Sequence, residues 1–218
     1  MKRIIAAISA LFLCVTTLYA SECNRHGQSM AEDGWSSQFH RVCLVDGVGS
    51  NRFLSPDGRK VLIADIHGFH LKVDGMPISW PEGRKLLTTD SEVLWSPKSS
   101  AFFINDGAGL DGWTLKVYSL FEGRLINHEE INIEVIRRFR TELGCSAKAW
   151  NPNVRGIGWS EDGSQIFGFA QSTVNERCGL AGDLRGIVAS LTGEPIREFY
   201  SEKETQRSFR NLLPYNMR

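Results

Sequence analysis

The sequence predicts an almost all-β fold: a small or incomplete β-propeller-like stack of antiparallel meander blades with one or two short helices. Three observations predict it. A strand-turn-strand segment recurs three times, its turns carry Ser, Pro, Asp and Gly, and each copy is followed by another apolar strand and another turn. Repeated meanders of three or four strands have the size of a propeller blade.

The chain has 218 residues, 42% of them hydrophobic and 23% charged, which excludes wholesale disorder and a multi-span membrane protein. Its first 20 residues read as a removable secretory leader. Lys2 and Arg3 form a basic start, Ile4 to Val15 is apolar, and a small-residue cleavage site follows Ala20. The apolar stretch falls short of the ~20 residues of a spanning helix. The expected location is therefore periplasmic or secreted, with no membrane span. Charges balance at 25 basic and 25 acidic, so nothing recruits nucleic acid. Export leaves Cys23, Cys43, Cys145 and Cys178, an even count that predicts two disulfides, since no pair has the C-x2-C spacing of a zinc site. Sequence proximity predicts Cys23 with Cys43 and Cys145 with Cys178.

The folded part, 21–218, reads as one domain with repeats at about 45–78, 86–126 and 150–197. The first copy is Phe53 to Asp65, built on Ser55-Pro56-Asp57-Gly58; the second, Leu94 to Asp106, turns on Ser96-Pro97-Lys98-Ser99; the third, Gly158 to Ala170, turns on Ser160-Glu161-Asp162-Gly163. Proline presets φ, the Asp or Ser side chain bonds its own backbone, and glycine takes the positive-φ place. The following strands start at His70, Leu115 and Ile187. Ser55, Ser96 and Ser160 are spaced by 41 and 64 residues, and the excess in the second gap holds a predicted helix over 132–143 with Ile133, Ile136, Phe139 and Leu143 on one face. A second helix is predicted after Ser201, whose capping box closes on Glu204.

In these residues, over about 53–196, the chain resembles the exported propeller repeats typified by TolB-type proteins: a strand, Ser-Pro-Asp-Gly, and a buried strand. The second copy lacks the Asp-Gly and the third has Glu161 in place of proline. The resemblance implies a fold and no particular activity. Three blades do not close a ring. The expected remedy is a degenerate fourth blade, with Phe39 to Val45 pairing near Arg197 to Tyr200; an open stack, or an oligomer covering the exposed edges, is the other arrangement.

Chemistry-bearing candidates are few. Asp65, His67 and His70 form the densest polar cluster and could hold a metal or move a proton, with a turn around Gly68 as the structural alternative. Asn105 to Trp113 reads as a glycine-rich acidic loop offering Asn105, Asp106 and Asp111 to a cation, or simply as a long hairpin connection. Of the six tryptophans, Trp95 and Trp159 hold equivalent repeat positions and are expected in the core, while Trp80, Trp113 and Trp150 lie near expected loops. No Gly-x-Ser-x-Gly elbow, Walker loop or His-Glu-x-x-His occurs, and the repeated serines are read as turn residues. The sequence calls for no cofactor. Two function classes remain: a non-catalytic exported binding or scaffold module for a protein or envelope component, or a small metal-dependent or hydrolytic enzyme using Asp65, His67 and His70. For the binding module, the expected surface comprises Asn105, Asp106, Asp111, Trp113, Arg137 and Arg138.

Overall fold

In a computed structural model, which describes residues 40–41, 50–65, 67–80, 91–109, 112–145, 151–172 and 182–213, each serine-led turn closes a hairpin. Ser55 Oγ donates to Asp57 Oδ1 (2.6 Å) and accepts from Lys60 N (3.0 Å), so one hydroxyl fixes both arms. Ser160 repeats this with Asp162 (2.6 Å) and Gln165 N (2.9 Å). The second turn has Ser99 where the others have glycine, at φ 57°. That left-handed conformation costs a β-carbon residue about 1 kcal/mol. Ser99 offsets the cost by accepting a hydrogen bond from Asp57 N (2.9 Å), which ties the second turn to the first.

The hairpins extend into three antiparallel sheets. The first is β2 (Ser50–Leu54), β3 (Lys60–Asp65), β4 (Gly68–Val73) and β5 (Met76–Ile78), paired in chain order. The second is β6 (Ser91–Trp95), β7 (Ala101–Gly109), β8 (Gly112–Phe121) and β9 (Arg124–Asn127), with the short β1 (His40–Arg41) added beside β6. The third is β10 (Asn153–Trp159), β11 (Gln165–Gln171), β12 (Leu184–Ser190) and β13 (Ile196–Tyr200). Two helices, α1 (Glu129–Glu142) and α2 (Glu202–Ser208), complete the described fold.

The second sheet lies between two cores because its strands alternate. Phe102, Ile104 and Tyr118 join Phe53, Leu62 and Leu71 of the first sheet; Phe103, Leu115 and Val117 join α1 and the third sheet. Gly156 sets the spacing of the latter core, since a Cβ there would lie 2.8 Å from the Phe103 ring. The far side of the third sheet is covered through α2, where Thr205 Oγ1 accepts from Gly186 N (2.6 Å) and Phe209 packs on Phe167.

Three expectations are corrected. Of the segment Phe39 to Val45 only His40 and Arg41 are described, and they sit opposite Val93 and Glu92 on β6 and not beside β13, which pairs with β12. The loop expected from Asn105 to Trp113 is largely strand, because β7 and β8 run on past a bulge between Asp106 and Gly109. The first helix begins at Glu129 and buries Ile131, Val135 and Phe139, leaving Ile133 58% exposed. Ser201 and Glu204 do form the capping box of α2.

Candidate binding cleft

The β3–β4 hairpin turns in two residues. Asp65 and Gly68 face each other, Gly68 takes φ 116°, and His67 N donates to Asp65 Oδ1 (2.7 Å). Two residues further on, His70 lies opposite Ile63, and its Nε2 sits 3.2 Å from both Asp65 oxygens. Burial pushes the Asp65 carboxyl up, but the His67 amide and the His70 imidazole outweigh it and hold the group below its ordinary range. Asp65 therefore works as the closure of a turn, and His67 lies in that turn and not beside Asp65 on the strand.

A cleft of 660 Å³ opens beside this turn, lined by Ile63, Asp65, His67, His70, Lys72 and Trp80 among others. Its origin is local. β5 is short and pairs only with Leu71, Lys72 and Val73, so among the described residues Gly68 to His70 have no strand partner on that side. After Ile78 the chain leaves the sheet and Trp80 turns inward, 4.8 Å from the Tyr118 ring and stacked at 6.1 Å on Phe69. Burying an indole gains more than one further strand pair would. Ser79 also lines the cleft, and among the described residues it makes no hydrogen bond to either imidazole.

The outer face of the first sheet continues from the cleft. Register places Arg52, Ile63 and His70 in one row and Leu54, Val61, Lys72 and Pro77 in the next. Leu54 is 58% exposed, Arg52, Lys72 and Pro77 are exposed, and Val61, Ile63 and His70 are half-buried.

The other sequence candidates fall elsewhere. Asn105 is fully buried and joins the second and third sheets: its Nδ2 donates to the Gly156 carbonyl (2.9 Å) and Gly156 N donates back to Oδ1 (2.7 Å). Glu92 accepts from Asn105 and from Arg155 (2.7 Å), and the Arg155 guanidinium lies 3.9 Å over the Trp113 ring. Asp106 accepts from Lys116, and Asp111 lies outside the described residues. Arg137 and Arg138 both grip Glu134, holding its carboxyl at about 2, with Arg137 the stronger cause; Arg138 also reaches Glu194. A groove of 450 Å³ runs past them, lined by Ile133, Ile136, Arg140 and Thr141. Cys145, at its end, is disulfide-bonded, and its partner lies outside the described residues, as do Cys23, Cys43, Cys178 and Trp150. Among the described residues no three His, Cys, Asp or Glu side chains converge as a metal site. The sequence reading missed the Glu92–Arg155 pair and the role of Trp80.

No family model matches the chain, and no curated protein matches it.

Proposed function

We propose that the chain is an exported, non-catalytic binding module built as an incomplete propeller-type stack, with a protein or envelope component as its partner and the outer face of the first sheet as its contact surface. The observation that carries this reading is the contrast between sheet faces. Those between the first and second and between the second and third sheets are packed, and α2 lies against the third, while the outer face of the first presents Leu54, Val61 and Ile63 among the cations Arg52 and Lys72. Half-apolar faces with a charged rim are how binding surfaces are built. The disulfides Cys23–Cys43 and Cys145–Cys178 belong to the same proposal, since they suit an oxidising compartment.

The enzymatic alternative draws on the Asp65–His70 pair and on Ser79 in one cleft. Two measurements separate the readings. Capture from the native envelope should recover a partner that an Ile63→Asp, Leu54→Asp variant loses while keeping its melting temperature. Stoichiometric transition metal in the purified protein that disappears in His67→Ala, or hydrolysis abolished by His70→Ala, would establish the enzyme instead.

A further inference from the structure

The cleft beside β4 has two unlike walls, because it wraps around the edge of a strand. Alternation sends Asp65, His70 and Lys72 to the outer face of the sheet, where Ile63 and Val61 lie opposite His70 and Lys72. Phe69 points the other way with Ala64, Ile78 does so with Leu71, and Trp80 stacks beside Phe69. Side chains of both sets line the same cleft. A ligand lodged there therefore meets hydrogen-bonding groups on one side and rings and aliphatic carbon on the other.

The polar wall has hydrogen-bonding capacity to spare. Asp65 Oδ1 accepts from His67 N and Oδ2 lies 3.2 Å from His70 Nε2, which leaves lone pairs of the carboxylate open. Ser79 and Lys72 are exposed, and among the described residues neither side chain makes a hydrogen bond or an ion pair. Asp65 is ionised and Lys72 brings the opposite charge. An anion would thus face Asp65 and a cation Lys72, while a wholly apolar ligand would strip water from both and return no hydrogen bond. A peptide strand finds too short a run of backbone, since β5 covers β4 from Leu71 to Val73. What suits these walls is a neutral molecule with hydroxyls on one side and C–H groups on the other, and 660 Å³ lies within the range of small-ligand sites.

We infer that the cleft binds a neutral saccharide, its hydroxyls hydrogen-bonded to Asp65, His70 and Ser79 and the C–H face of a sugar ring laid against Phe69 and Trp80. This deepens the binding-module reading, with an envelope glycan as the partner, and rests on it. A carboxylate fixed by its own turn accepts hydroxyl protons through short, charge-assisted bonds, and a half-buried aromatic pair offers apolar surface at little entropic cost.

The test titrates the purified protein by isothermal calorimetry with tetrasaccharides of glucose, mannose, galactose and N-acetylglucosamine, and with a sulfated counterpart of each. At least one neutral tetrasaccharide should bind, and more tightly than its sulfated form. Asp65→Asn keeps an acceptor for His67 N but loses the charge, and Phe69→Leu keeps an apolar side chain but loses the ring. Each should weaken binding about tenfold with the melting temperature held. Preference for the sulfated forms, indifference to both substitutions, or no binding of any neutral sugar overturns the inference, as does a dimer in sedimentation that Asp65→Asn dissociates, which would give the cleft to a second copy. If envelope capture persists while every sugar fails, the saccharide is wrong and the binding module stands; release of new reducing ends would make the chain an enzyme and remove both.

Discussion

Glu92 and Arg155 are separated by 63 residues in the chain yet form a pair at 2.7 Å with both side chains largely buried. Removing one member of such a pair strands a charge, so Arg155→Ala should cost about 3 to 5 kcal/mol in chemical denaturation, and Glu92→Ala a similar amount. A Glu92→Ala, Arg155→Met double variant should recover much of the loss, since the stranded charge is gone. The turn serines make a milder claim. Ser99→Ala keeps the strained φ and removes the bond from Asp57, and should lose about 1 kcal/mol in the same measurement. The turns were legible in the sequence because Ser, Asp and Gly act within five residues of one another. The Glu92–Arg155 pair was not, since its geometry exists only once the second and third sheets meet. Asn105 misled for a related reason: among acidic and glycine neighbours it reads as loop, whereas its amide is one of the links between the second and third sheets.

At the scale of the element, α1 shows how a helix and most of its buried face can be recognised while one edge of that face is misplaced. Of the predicted face, Phe139 is buried and Ile136 and Leu143 pack against the core, but Ile133 is exposed, and the earlier start at Glu129 adds Ile131 and Val135 to the buried side. Phe139→Ala should therefore cost about 3 to 5 kcal/mol, and Ile133→Ser less than about 0.5. Equal losses at the two sites would show the buried face to be misassigned. On the solvent side, Glu134 is held at about 2 by Arg137 and Arg138 against an ordinary value near 4.5. A depressed carboxylate contributes stability above its unfolded value and loses it as pH falls toward the folded one. The melting temperature of the wild type should thus exceed that of Glu134→Gln above about pH 4.5, and the gap should close toward about pH 2. A gap that stays constant with pH would mean that the ion pairs do not act.

For the whole molecule, strand content, repeat number and the two helices were readable from turns and periodicity, and far-UV circular dichroism should report a spectrum dominated by β structure. Closure of the stack was not readable, because pairing of chain ends depends on which edge each end reaches; His40 and Arg41 reach β6. The cleft was legible only in its Asp65, His67 and His70 corner. Its other wall depends on Trp80 abandoning the sheet for Phe102 and Tyr118 of the next repeat, a contact that no pattern within one repeat reveals. The account rests above all on the outer face of the first sheet as the place of binding. Amide hydrogen exchange, followed by mass spectrometry on the protein alone and with the partner recovered by capture, tests this most directly. Protection should rise over 50–54, 61–73 and 77–80, with 129–142 unchanged. Protection confined to the α1 groove, or spread over none of these segments, would contradict it.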